Sequence, residues 1–277
     1  MSTLAQALIV TLPALYLIAA FLYGMHFVNP REQRVLLPRR IAFASALLGH
    51  LALFWVQGRR FDTFPAWEAW TTLSMVTMAV TYLFAITSRS VPHGGVAAIV
   101  LGMAAILQLA ASSFGPMDAP GASGRSGTFY LFHALTSAAA AGALILSGLY
   151  GVLYLWVFRC MRRRQIGIFV RAMPSMRSLA NLTRRAALAG FLLLAVGINF
   201  GIGWAHYKEV EGFGYTDPWV MAMILIWVHF GVVAFSHRIP GISAKRASIA
   251  ATAGLTILLG AGLLTLIPEA SFHFSGQ

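Results

Sequence analysis

Sulfur chemistry is nearly absent from this sequence, which contains a single cysteine, Cys160, in 277 residues. One thiol excludes an internal disulfide framework and any paired-thiol redox or zinc motif. Charge is scarce too. Only 10% of residues are charged, against roughly a quarter in soluble domains. Acidic residues are the rarest, 8 against 20 Lys and Arg, leaving a formal charge of +12. The cations form strips beside apolar runs rather than one folded basic face, which points to anionic membrane lipids and away from nucleic acid.

What the chain has in quantity is apolar sequence: 58% of residues, with a mean hydropathy of +0.75. Runs of about 20 apolar residues match a hydrocarbon core about 30 Å thick. Eight such runs lie near Leu4–Val28, Ile41–Val56, Trp67–Ile86, Gly95–Phe114, Phe129–Phe158, Ala186–Trp204, Trp219–Ser236 and Ala247–Ile267. The expected fold is all-α: a single polytopic membrane domain over residues 1–277, a bundle of about eight transmembrane helices. No Lys or Arg precedes the first run and no small-residue cleavage site follows it, so it is expected to stay in the mature chain.

Basic residues set the orientation. The loops after runs one, three, five and seven carry sixteen of the twenty Lys and Arg residues. The other loops carry Arg59, Arg60, Arg125 and Lys208. Both termini are therefore expected outside, and Arg159 to Arg185 is expected as a polybasic surface loop. The outer loop 205–218 holds three of the eight acidic residues together with His206, Tyr207, Phe213 and Tyr215. Pro218 suits the first turn of a helix, with Asp217 as its N-cap.

Ionisable side chains inside spans are costly, so each suggests a function. His50 falls midway along the second run, His229 and His237 in the seventh and at its inner end, His133 at the outer start of the fifth, and His273 beyond the eighth. Two neutral imidazoles from different helices can hold one haem iron between them. A membrane histidine can equally be a hydrogen-bonded packing residue. Glu68, beside Trp67 and Trp70, either pairs with Arg59 and Arg60 or shapes a cavity.

Four segments bear a resemblance to the cytochrome c assembly family of haem-handling membrane proteins, in particular its CcsA branch and the HemX- and YpjD-like relatives. They are "HLALFWVQGRRFDTFPAWEAW", "FHALTSAAAAGALILSGLYGVLYL", "WVHFGVVAFSHR" and "GAGLLTLIPEASFHFSG". The resemblance implies membrane haem ligands at His50 and His237, with His229 as the alternative to His237, and outer ligands at His133 and His273. It also places the family's tryptophan-rich haem platform at loop 205–218. There Trp204, Asp217 and Trp219 remain, but most of the platform's tryptophans are absent.

By resemblance the cofactor is non-covalent haem b, and the partners are a CcsB-like membrane protein, apocytochrome c and membrane lipids. The location is the bacterial inner (cytoplasmic) membrane. The implied role is haem translocation and presentation for attachment to apocytochrome c. With no self-contained catalytic site in the sequence, the chain is at most a subunit of a haem lyase (cytochrome c synthase) complex. The alternatives are a membrane regulator or haem sensor of the HemX or YpjD type, and a small-solute transporter.

Overall fold

A computed structural model describes residues 3–29, 31–61, 69–88, 94–114, 127–165, 167–171, 173–208 and 213–264. Among them the regular elements are all helical: α1 (Thr3–Val28), α2 (Leu36–Phe61), α3 (Ala69–Ser88), α4 (Gly94–Phe114), α5 (Thr128–Arg162), α6 (Ile168–Arg171), α7 (Met176–Tyr207), α8 (Pro218–Ala234) and α9 (Ala244–Leu264). Two short 3₁₀ turns, Gln33–Val35 and Ser236–Arg238, precede α2 and follow α8. Helices suit lipid because each satisfies its own backbone donors and acceptors.

Eight long helices thus occupy the eight apolar runs, and the chain is an integral, multi-pass membrane protein. Six of them are long and apolar enough to cross a membrane, whereas α8 is a shorter apolar helix of 17 residues. Large apolar side chains such as Val10, Leu48, Ile106 and Leu225 stand exposed on the helix flanks, as a lipid-facing surface requires.

The expected polybasic loop is largely absorbed into helix. α5 continues to Arg162, α7 begins at Met176, and α6 lies between them. At 1.5 Å per residue the 35-residue α5 is about 50 Å long, well beyond the hydrocarbon core. Its arginines therefore extend past the apolar slab instead of ending the helix. Arginine is a good helix former, so charge there is no reason to unwind.

The helices group into two compact units: Met1–Ala122 with Arg159–Ser175, and Ser123–Phe158 with Met176–Gln277. In the first unit α1 packs on α2 and α4, and α3 packs on α4. The Phe27 ring lies over Gly95, where a Cβ would meet Phe27 Cδ2 at 2.6 Å.

In the second unit α7 packs on α8, and both touch α9. Small residues set the close approaches, as in membrane bundles generally. A Cβ at Gly190 would meet Leu144 Cγ at 2.6 Å, and one at Gly151 would meet the Ser248 carbonyl oxygen at 2.8 Å. Phe191 stacks on Trp227 with ring centroids 4.8 Å apart, and the indole N–H donates to the Phe191 carbonyl at 3.1 Å. Leu144, Leu194, Phe230 and Val233 fill the core between these contacts.

Candidate functional site

His50 projects from α2 into the first unit and is wholly buried. Its Nδ1 lies 2.8 Å from the Tyr16 hydroxyl of α1, and its Nε2 lies 3.0 Å from Ser74 Oγ of α3. Ser74 spends its one hydroxyl hydrogen on Gln108 Oε1 at 3.0 Å, so it can only accept from His50. That fixes the tautomer: Nε2–H donates to Ser74, and Nδ1 accepts from Tyr16. Gln108 Nε2 continues the chain to Ser112 Oγ at 3.3 Å. Phe54 stacks on the imidazole, with centroids 5.6 Å apart and planes 9° from parallel. Both ring nitrogens are therefore engaged, and a metal reaches one only if Ser74 or Tyr16 lets go.

His133 is different. It sits in the second turn of α5, half-buried, with Nδ1 2.8 Å from the Gly197 carbonyl oxygen of α7. A carbonyl can only accept, so Nδ1 carries the hydrogen and Nε2 keeps its lone pair. The ring lies on the backbone of Gly201, where a Cβ would meet Nδ1 at 2.7 Å. A glycine at that point of α7 is what lets the imidazole approach so closely.

Aromatic rings surround it. Tyr130 bridges His133 and Trp204, at centroid distances of 6.5 and 5.3 Å. The buried Trp204 Nε1 has no hydrogen-bond partner among the described residues, which is costly in an apolar setting. Beside them Phe132 stacks on Phe200 at 5.1 Å, and Phe129 packs against Phe200 and Tyr207. Phe129, Phe132 and Tyr207 are 45%, 44% and 73% exposed and form an open aromatic face at this end of α5 and α7.

Of loop 205–218, residues 209–212 lie outside the described part. As the sequence predicts, Asp217 caps α8: one carboxylate oxygen accepts from the backbone N–H of Trp219 at 2.8 Å and of Val220 at 3.3 Å, with Pro218 opening the helix. Trp219 packs against the core of the second unit. His206 Nε2 pairs with the Tyr215 hydroxyl at 2.8 Å, and the Phe213 ring stands edge-on to it at 5.2 Å.

His237 lies exposed in the 3₁₀ turn after α8. His229, half-buried, donates from Nε2 to the Ala250 carbonyl at 2.8 Å and rests over Gly254, tying α8 to α9. His273 and Glu68 fall outside the described residues. His133 and Trp204 come together in the second unit, while His50 belongs to the first.

Residues 36–267 match the Cytochrome C assembly protein family. The chain belongs to that family. Among curated proteins none matches the chain. The match covers every helix except α1 and places the protein in cytochrome c biogenesis.

The resemblance implies haem as the ligand, and the candidate histidines differ in how well their surroundings fit it. Around His133 they fit: a neutral imidazole held through Nδ1 by a backbone carbonyl is the arrangement that orients a histidine for metal ligation through Nε2. The orphaned Trp204 N–H and the open aromatic face suit a flat ligand with polar edges. His50 as packed does not fit without a rearrangement of Ser74 or Tyr16. Reading the sequence missed Tyr16, Ser74, Gln108 and the Gly197 carbonyl. The available signal was Gln108, an uncharged polar residue within the fourth apolar run; Tyr16 precedes the family match altogether.

Proposed function

We propose that this family member binds haem b at the α5–α7 end of its second unit, where His133 Nε2 would hold the iron, and presents it to apocytochrome c. The observation that carries this reading is the 2.8 Å contact from His133 Nδ1 to the Gly197 carbonyl, beside exposed Phe129 and Phe132. Bound haem would supply an iron that an imidazole can ligate and vinyl groups that the substrate's cysteines can join; Cys160 takes no part. His273 is the proposed second ligand. Gly197, Gly201 and the rings of Tyr130 and Trp204 orient the imidazole and exclude water from it.

The proposed setting is the bacterial cytoplasmic membrane, with the arginine-rich helix ends facing the cytoplasm and a CcsB-like membrane partner supplying an outer domain. His50 is the proposed ligand of a second, membrane-embedded haem, and His237 remains a separate candidate ligand in the turn after α8. For His50 that role requires Ser74 to release Nε2.

The deciding experiment is a reduced-minus-oxidised absorption spectrum of the detergent-purified protein. The expected result is a b-type spectrum that His133→Ala removes or weakens at least tenfold and that added imidazole restores. Well-folded protein that neither carries haem nor takes it up when supplied overturns the reading.

A second reading is a membrane regulator or haem sensor of the HemX or YpjD type. It is favoured by the loop, where His206, Phe213 and Tyr215 close on one another rather than forming a tryptophan platform. Deleting the gene separates the two: covalent c-type cytochromes vanish under the first reading and persist under the second.

A further inference from the structure

We infer that the arginine-rich end of the second unit carries a binding site for a phosphate-type oxyanion, of the kind an anionic phospholipid headgroup presents. A cleft of about 390 Å³ opens there between the start of α7, the 3₁₀ turn after α8 and the start of α9, within the range of about 300–1,000 Å³ of ligand pockets. Arg177, Arg184 and His237 line it, and among the described residues no acidic one does. The two arginines are seven residues apart on α7 and so share one face. Arg184 Nη2 donates to Asn181 Oδ1, which holds its guanidinium in place.

A second observation points to a ligand. Ser248, also in the lining, is wholly buried, and its Oγ has no hydrogen-bond partner among the described residues. A buried hydroxyl without a partner is destabilising by itself, and a bound oxyanion would accept its hydrogen. Nearby, Ser236, 3% exposed, also lines the cleft. Met176 and Ala244, the first residues of α7 and α9, line the cleft as well, so two helix N-termini add backbone N–H groups and positive dipole ends. Guanidinium groups, hydroxyls and helix starts favour tetrahedral anions. Basic pockets between membrane helices on the cytoplasmic side recognise lipid headgroups by the same chemistry.

Native mass spectrometry of the full-length, delipidated protein tests the site with three probes: phosphatidylglycerol, phosphatidylcholine and inorganic phosphate. A headgroup site gives a 1:1 phosphatidylglycerol adduct at least tenfold more abundant than the phosphatidylcholine adduct. A small-anion site gives saturable phosphate binding with no advantage for the lipid. Either outcome supports the site if Arg177→Gln with Arg184→Gln lowers the binding at least tenfold and Ser248→Ala lowers it about threefold. Arg162→Gln with Arg163→Gln removes equal charge outside the cleft and is expected to leave binding intact. Equal binding by wild type and the Arg177/Arg184 variant, or equal loss in the Arg162/Arg163 control, overturns the site. Should the Arg177/Arg184 variant fail to fold, Ser248→Ala decides alone.

Discussion

His133 and Gly197 are joined by a hydrogen bond from a ring nitrogen of α5 to a backbone carbonyl of α7, 2.8 Å long. Because the acceptor is main chain, no substitution at position 197 removes it directly. It depends instead on how closely the two helices approach, and so on the glycines beneath the ring.

Gly201→Ala tests that dependence. The new Cβ would lie 2.7 Å from His133 Nδ1, so the ring must tilt away. Overpacking of this kind costs about 1–3 kcal/mol. The expected result is a haem-to-protein ratio reduced about tenfold in a protein that still folds, read by pyridine haemochrome assay and thermal unfolding. Unchanged haem content would show that the ring's position is not critical.

The buried network around His50 makes a separate prediction. Tyr16→Phe deletes the hydroxyl that donates to Nδ1 and leaves that nitrogen buried without a partner. The expected destabilisation is about 1–3 kcal/mol, visible as a lower melting temperature in differential scanning fluorimetry. Ser74→Ala should cost a similar amount, and the double variant less than the sum, since both act on one ring.

Asp217→Ala removes the cap of α8 and is expected to cost about 0.5–2 kcal/mol, whereas Asp217→Asn keeps an accepting oxygen and should stay near wild type. Thermal melts of the two variants side by side check the ranking. A haem-contacting role for Asp217 would instead lower haem content in both variants without this difference in stability.

Two helix glycines should respond oppositely to alanine. At Gly190 a Cβ would press on Leu144 Cγ at 2.6 Å, while at Gly102 nothing lies within 4 Å. Gly190→Ala should destabilise by about 1–3 kcal/mol, and Gly102→Ala should stabilise by up to about 1 kcal/mol through helix propensity. Denaturation in detergent of both variants measures the contrast.

Much of this fold is legible along the chain because lipid imposes a length and a composition on every span. Asp217-Pro218 could be read as a helix start because capping is local, involving residues only two and three positions apart. Helix ends at Arg162 and Met176 were harder: charge marks where the membrane stops, not where the helix does. The partners of His50 were illegible for another reason. Tyr16, Ser74 and Gln108 are hydroxyl or amide residues on three other helices, and nothing in their own segments signals that they converge. His133 was legible as a candidate, but the orientation that leaves Nε2 free depends on a carbonyl 64 residues away in sequence.

From Tyr16 through His50, Ser74 and Gln108 to Ser112, each hydrogen is passed in the same direction. His50, Ser74 and Gln108 cannot turn round singly, because a reversed donor would face another donor, whereas the Tyr16 hydroxyl also has Thr81 Oγ1 at 3.1 Å. The three inner side chains therefore share one setting across α2 to α4. Anything that draws Ser74 away from His50 acts on the whole row at once.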